Sequence, residues 1–318
     1  MTSEQIPKSG ITVLSLFDGI SGGKLALERA GTPVERYFAS EIDKYAIQIS
    51  KKNHSDIIHV GDVRKVRYDA DSCMLHTENG SYYVRKIHLI LGGSPCQGFS
   101  MAGGRLNFDD PRSQLYFEYE RLLSECTPTW FLLENVRMNK ESRDVITRNL
   151  GVEPVLINSS VFSAQHRERY YWTNIPIGDL PEDKGLTIKD VLSPESAIGL
   201  PRRPLAKLHE KSTRRDNGCK RVGSADIRGR DITRRVYSMS GKCPTLTTMQ
   251  GGHRHPKITE DKKTWRRLSP LECERLQTLP DNYTEGVSDT QRYKAVGNGW
   301  TIDVVAHILS NIKRRVIL

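Results

Sequence analysis

Short apolar runs alternate with helically spaced ones through the first half of the chain. Ile11–Phe17 is apolar and rich in β-branched residues, and a glycine-rich turn follows it. Lys24–Ala30 has helical spacing and stops at Gly31. Arg36–Glu41 reads as a second strand, Tyr45–Lys52 as a second helix and Ile57–Val60 as a third strand. Residues 73–84 read as a hairpin turning at Asn79-Gly80. Ile87–Gly92 and Thr129–Leu133 are buried strands, Arg112–Glu125 is helical, and another helix runs near Glu141–Leu150. Strands that are apolar on both faces and alternate with helices build a mostly parallel, doubly wound α/β sheet.

After Asn174 the alternation stops. Pro176, Pro181, Pro194, Pro201 and Pro204 punctuate the chain there. Order returns at Arg267. Ser269-Pro270-Leu271-Glu272 combines a cap residue, Pro at the first helical position and Glu three after the cap, predicting a helix to about Thr278. Thr301–Arg315 predicts a last helix, with Ile302, Val305, Ala306, Ile308, Leu309 and Ile312 on one stripe. The chain is expected to build one domain from 1–177 plus 293–318, with a smaller, loop-rich domain at 178–292 inserted.

The composition narrows the class. Of 318 residues, 37% are hydrophobic, enough for a packed core and too many for a disordered chain. No apolar run approaches the ~20 residues of a membrane span. Met1–Gly10 lacks the basic and apolar pattern of a secretory leader, so a cytoplasmic location is expected. The six cysteines, at 73, 96, 126, 219, 243 and 273, form no CxxC pair, so neither a metal site nor a disulfide framework is expected. His253 and His255 flank Arg254 without further ligands and do not change that. The net charge of +10 points to an acidic partner, nucleic acid first. Residues 201–240 hold 12 Lys/Arg against four Asp/Glu, most of the surplus. With few large apolar residues there, this stretch reads as loops on a small scaffold; strand-like pieces such as Val236-Tyr237-Ser238-Met239 argue against a disordered basic linker.

Ligands of doubly wound sheets sit at the carboxyl ends of the strands. Phe17-Asp18-Gly19-Ile20-Ser21-Gly22-Gly23 lies at such an end, and Glu41 closes the second strand 22 residues after Gly19, a spacing suited to ribose hydroxyls. The chain has no GxxxxGK motif, and its glycines miss the GxGxxG spacing, so an adenosyl ligand without a pyrophosphate fits better. Asp62 is a third polar group at this edge, or a plain loop acid. Cys96, in Gly92-Gly93-Ser94-Pro95-Cys96-Gln97-Gly98-Phe99-Ser100, is placed like a nucleophile. Glu134 ends the adjacent strand, within reach of acid or hydrogen-bond work. Alternation puts Gln165, Arg167 and Arg169 on one face of the next strand, as fixed cations or as an exposed charged edge.

Together these residues resemble the DNA (cytosine-5)-methyltransferase family. The match runs from the Phe17–Gly23 loop through Ser94-Pro95-Cys96-Gln97, Glu134-Asn135-Val136 and Gln165-x-Arg167-x-Arg169. It ends with Arg267-Leu268-Ser269-Pro270-x-Glu272-Cys273 and Gly297-Asn298. The resemblance implies a Rossmann-like, S-adenosylmethionine-dependent catalytic domain with a smaller target-recognition domain. It implies methyl transfer to C5 of a cytosine flipped out of duplex DNA, with Cys96 bonded to C6. Glu134 would meet N3, Arg169 would bind O2 and hold Glu134, and Arg167 would bind a flanking phosphate or steady the nucleophile loop.

For S-adenosyl-L-methionine, the resemblance assigns Phe17 and Ile20, Gly19 and Gly22, Glu41 on the ribose, Asp62 on the adenine amino group with Val63 beside it, then Pro95, Asn298 and Trp300. Ser21, where many relatives have Gly, and Gly299-Trp300 depart from the usual pattern. Gln97, Ser100, Arg235, Thr245, Gln250, Gly251 and Gly252 would face DNA. Arg235 would read a guanine or meet a phosphate; Gln250 would read a base edge, fill the flipped-out space or sit in a plain loop. The expected assembly is a monomer on double-stranded DNA, with no metal and no membrane. Methylation of tRNA is the nearest alternative, and a non-catalytic DNA-binding protein a more distant one.

Overall fold

The computed structural model describes residues 10–94, 115–214 and 218–312. They form two compact units, one built from segments within 1–157, 168–179 and 305–318, the other from 158–167 and 180–304. Relative to the sequence-based division, 158–167 and 293–304 group with the second unit. Gln165 explains both: its side-chain NH2 bonds to Leu276 O and to Gln277 Oε1, and Gln277 in turn donates to Val296 O and Gly299 O.

The first unit is organised by a seven-stranded sheet. Its strands are β1 (Ile11–Leu16), β2 (Val34–Ser40), β3 (Ile58–His59), β7 (Leu89–Gly92), β8 (Trp130–Val136), β9 (Val155–Asn158) and β10 (Glu168–Thr173), in the order β3-β2-β1-β7-β8-β10-β9. The β1–β2, β2–β3, β1–β7 and β7–β8 pairs are parallel, and β10 runs antiparallel to β8. Every residue of β1 and β7 is buried, as their unbroken apolar runs require. The order turns back at β1, between β2 and β7, so the carboxyl ends of β1 and β7 flank a topological switch point.

Helices α1 (Gly22–Arg29), α2 (Lys44–Asn53), α3 (Leu115–Cys126) and α4 (Lys140–Leu150) follow β1, β2, β7 and β8. The Asp43 carboxylate caps α2 at Tyr45 N and Ala46 N, and Asn139 caps α4 at Ser142 N. Gly151, at φ 68°, ends α4. A small antiparallel sheet, β4 (Arg67–Asp69), β5 (Met74–Thr77) and β6 (Gly80–Tyr83), contains the expected hairpin; its turn is Glu78-Asn79, with Gly80 opening β6.

The second unit carries more strand than the loop reading allows. Five strands close a barrel: β11 (Arg203–Arg214), β12 (Lys220–Ala225), β13 (Arg235–Ser238), β14 (Lys257–Thr259) and β15 (Thr264–Arg267). A core of Ala225, Val236 and Trp265, flanked by Leu205 and Ile227, fills it. So small an interior needs few large side chains, which is why the stretch looks coil-like in sequence. A short α5 (Asp231–Arg234) joins β12 to β13. The predicted cap holds in α6 (Pro270–Leu276): Ser269 Oγ accepts from Glu272 N at 3.1 Å, and Glu272 accepts from Ser269 N at 2.8 Å. Buried Arg266 adds two 2.8 Å bonds to Glu272. Helix α7 (Asp289–Asn298) was not expected; α8 spans Ile302–Leu309, inside the predicted last helix.

Candidate functional site

Residues beyond the sheet edge are set by β7 and β8. Gly92 pairs in register with Leu133, so Ser94 and the Glu134-Asn135 end of β8 arrive side by side. Asn135 Nδ2 donates to Ser94 Oγ at 3.1 Å, with both residues buried. Gly92 has no room for a side chain: a Cβ would come within 2.7 Å of the Tyr119 ring. This fixes residues 92–94, the last described residues before Cys96 in the chain. Pro95, Cys96, Gln97 and Ser100 themselves lie outside the described residues.

Glu134 is 8% exposed and faces Arg169, whose Nε lies 2.9 Å from its Oε1. Antiparallel register explains the pair. Tyr171 sits opposite Glu134 and Arg169 opposite Val136, so Arg169 and Glu134 are diagonal neighbours on one face. Arg169 also donates to Glu168 O at 2.8 Å.

Arg167 lies in the other unit. Strand β10 begins only at Glu168, and the preceding residues pair elsewhere, Gln165 bridging to Cys243. Its buried guanidinium donates to Leu246 O at 3.1 Å, Gly299 O at 3.0 Å and Gly297 O at 3.4 Å. Arg167 and Arg169 therefore do not share one strand face. Arg167 ties the Thr245–Gly252 stretch to the turn after α7.

The β1–α1 loop is tightly shaped. Phe17, Gly19 and Ser21 have φ of 56°, 58° and 60°, a left-handed run that costs a non-glycine residue. Asp18 anchors it, accepting from Tyr37 Oη at 2.7 Å and Ser21 Oγ at 2.5 Å. The Ser21 hydroxyl that departs from the usual Gly thus has a structural task; it also lies 2.6 Å from Ser50 Oγ. Glu41 accepts three backbone N–H bonds, each 2.8 Å long: Gly19 on Oε2, Ile42 and Asp43 on Oε1. Burial pushes its carboxyl above the ordinary range, against the pull of those bonds and with help from the Asp18 charge.

Asp62 is held by its neighbour Arg64. Both carboxylate oxygens accept from the Arg64 side chain, at 2.5–3.0 Å. Those bonds hold the Asp62 carboxyl below its usual range. Val63 is buried in the core cluster.

In the second unit, Gly297 lies so close to Thr247 that a Cβ would overlap its carbonyl. Asn298, the last residue of α7, is exposed and Trp300 half-buried. Thr245 Oγ1 donates to His166 O at 2.8 Å. Gln250, Gly251 and Gly252 are exposed on a sharply turned loop, the two glycines at φ 66° and 58°. Arg235 opens β13 beside Asp231.

A family model for C-5 cytosine-specific DNA methylases matches residues 11–314. The chain belongs to this family. It is a DNA (cytosine-5)-methyltransferase whose methyl donor is S-adenosylmethionine. The orphan methyltransferase M.SPBetaI of Bacillus phage SPbeta is 28% identical, over 96% of this chain and 98% of that one. The type II methyltransferase M.HhaI of Haemophilus parahaemolyticus is also 28% identical, over 96% and 94%. Two solved structures share the fold at 17% identity. The Entamoeba histolytica methyltransferase EhMeth has a TM-score of 0.68, over 97% of this chain and 99% of its own. The S. pombe Dnmt2 methyltransferase scores 0.63, over 97% and 100%.

The first unit of the methyltransferase suits its methyl donor. Glu41 spends three acceptor positions on backbone and retains capacity for a hydroxyl. Two acids, Asp18 and Glu41, at the loop disfavour a phosphate and favour a cationic sulfonium ligand. Ile42, directly after Glu41, is 70% exposed. Sequence reasoning did not single out this exposed isoleucine, although an isoleucine following a strand-end acid is visible there. It also missed Gln277, the buried hub that accepts from Gln165 and Thr301 and holds the turn carrying Asn298 and Trp300. Among the described residues no cluster of His, Cys, Asp and Glu is placed to hold a metal, and no helix is long and apolar enough to cross a membrane.

Proposed function

We propose that Cys96 is the nucleophile, with Glu134 and Arg169 acting on the flipped base and Arg167 acting as a positioning residue. The Glu134–Arg169 pair, one residue before the Asn135–Ser94 bond at the stem of the Cys96 loop, is the observation that supports this most. Burial raises the thiols of Cys126, Cys243 and Cys273, the wrong direction for a nucleophile.

The bound cofactor supplies an electrophilic sulfonium methyl. Cytosine C5 is too weak a nucleophile for it unaided. Addition of the Cys96 thiolate to C6 makes the ring an enamine with electron density at C5. Glu134 hydrogen-bonds N3 and the 4-amino group as charge develops, and Arg169 holds Glu134 and meets O2. Once C5 carries the methyl, loss of the C5 proton to a base and β-elimination free the Cys96 thiolate. Glu41 binds the ribose hydroxyls, and Phe17 and Ile42 pack on adenine. Asp62 takes the adenine amino group by exchanging one Arg64 bond, while Pro95, Asn298 and Trp300 complete the methionine side.

Arg235, Thr245, Gln250, Gly251 and Gly252, with Gln97 and Ser100, bind double-stranded DNA sequence-specifically. The enzyme works as a monomer in the cytoplasm of a bacterium or of a phage's host, within a restriction-modification system or as an orphan. A duplex carrying 5-fluorocytosine tests the chemistry, since C5 then has no proton to lose. It should trap a covalent adduct that Cys96→Ser abolishes. Absence of an adduct with cofactor present, or methyl transfer to tRNA and not to duplex DNA, would overturn this reading.

A further inference from the structure

The arginine assigned to base reading does not stand alone. Asp231, on α5, accepts from Arg235 Nε at 2.9 Å and Nη2 at 2.7 Å, both on Oδ2. Arg221 of β12 reaches the same carboxylate, with Nη2 2.7 Å from Oδ1 and Nη1 3.3 Å from Oδ2. Arg221 Nη2 also donates to Ser224 Oγ at 2.8 Å, and Ser224 lies opposite Arg235 in the β12–β13 register. The two arginine side chains are only 16% and 17% exposed, whereas Asp231 is 57% exposed. Two cations therefore converge on one surface carboxylate, held by adjacent strands of the barrel.

The choice of edge matters. A guanidinium has a side edge, Nε and Nη2, and an end edge, Nη1 and Nη2; a guanine O6/N7 pair is matched by two parallel N–H donors. Asp231 occupies the side edge of Arg235. Burial works against the charge of this guanidinium, and the Asp231 carboxylate and Tyr237 beside it work in its favour. Without this carboxylate the side edge of Arg235 would be open to a phosphate in reach.

We propose that Asp231 is a specificity-positioning residue: its carboxylate, braced by Arg221, clamps the side edge of Arg235 so that the end edge reads one guanine of duplex DNA. It rests on the proposed reading of Arg235 and goes beyond it. Asp231 contributes no attraction to DNA. It withholds two cations from non-specific phosphate pairing and gives one of them a direction.

The test uses the full-length enzyme. Bisulfite sequencing of DNA it has methylated identifies the target sequence. The probes are a duplex carrying that sequence, duplexes with each single G·C pair changed, and a random-sequence duplex. In Asp231→Ala, discrimination by kcat/KM at one G·C position should fall by about ten-fold or more, within the range of a bidentate guanine contact. Affinity for the random duplex should be unchanged or tighter, with a steeper salt dependence from the released arginines. Arg235→Ala should lose the same discrimination, and Arg221→Ala, which leaves the Asp231–Arg235 pair, should lose less. Full discrimination in Asp231→Ala with loss in Arg235→Ala overturns this inference alone. Full discrimination in Arg235→Ala overturns the reading of Arg235 as well. An equal fall on every duplex in Asp231→Ala means a structural role and overturns the inference too.

Discussion

Replacing Glu41 by Gln keeps its size and removes the ability to accept hydrogen bonds at both ends of the carboxyl group. The amide oxygen can serve Ile42 and Asp43 N–H, the pair on Oε1. Its NH2 then faces Gly19 N–H across a 2.8 Å gap, donor against donor. The opposite rotamer orphans two N–H groups and is worse. An unsatisfied N–H costs about 1–3 kcal/mol, and the bond from a ribose hydroxyl to a charged acceptor is worth about 1.5–3 kcal/mol. The two overlap, because the displaced loop carries Phe17 and Gly19, so a net loss of about 2–4 kcal/mol is expected. That is roughly 30- to 1,000-fold weaker binding. Calorimetric titration of S-adenosylmethionine measures it, with a urea midpoint showing that the protein is folded. A Glu41→Gln Kd within about three-fold of the parent value would refute the reasoning.

The same carboxyl sets a pH dependence. Its pKa is raised by burial above the ordinary value of about 4.3. Protonation places a hydrogen where backbone donors point, so cofactor affinity falls as pH drops through the raised value, and Glu41→Gln removes that limb. The stability of the ligand-free protein runs the other way. A carboxyl whose folded pKa is raised contributes stability that is fully present below its unfolded pKa and is lost as pH rises through the folded one.

Arg169→Leu leaves Glu134 buried without its cation; kcat for methyl transfer should fall at least ten-fold while affinity for S-adenosylmethionine holds, by single-turnover assay and calorimetry. Gly297→Ala drives a Cβ into the Thr247 carbonyl, so urea denaturation should report a loss of about 1–3 kcal/mol. Gln277→Leu keeps the volume and breaks bonds to Gln165, Thr301, Val296 and Gly299; it should cost about 2–4 kcal/mol by the same assay, and an unchanged midpoint would show that these groups find other partners.

The doubly wound half of the fold is legible because β1, β7 and β8 are covered on both faces and carry almost unbroken apolar runs. The α6 cap is legible because its partners, Ser269 and Glu272, are three residues apart. Both are local facts. What escapes the sequence is non-local or hidden by scale. The barrel stays unseen because its interior is filled by Ala225, Val236 and Trp265, too few apolar positions to raise a period-two signal above the surrounding arginines.

Arg167 is misplaced for a related reason. Alternation assumes one continuous strand, but regular pairing with β8 starts two residues later, and its carbonyl partners are 79 to 132 residues away. Asp231 is the intermediate case. It stands four residues before Arg235, close enough to notice, but that spacing implies an ordinary surface ion pair. Arg221, brought onto the same carboxylate by the β12–β13 ladder, turns the pair into a clamp on one edge of a guanidinium. Chemistry that depends on which edge of a side chain is held becomes visible only once a second element has been folded against the first.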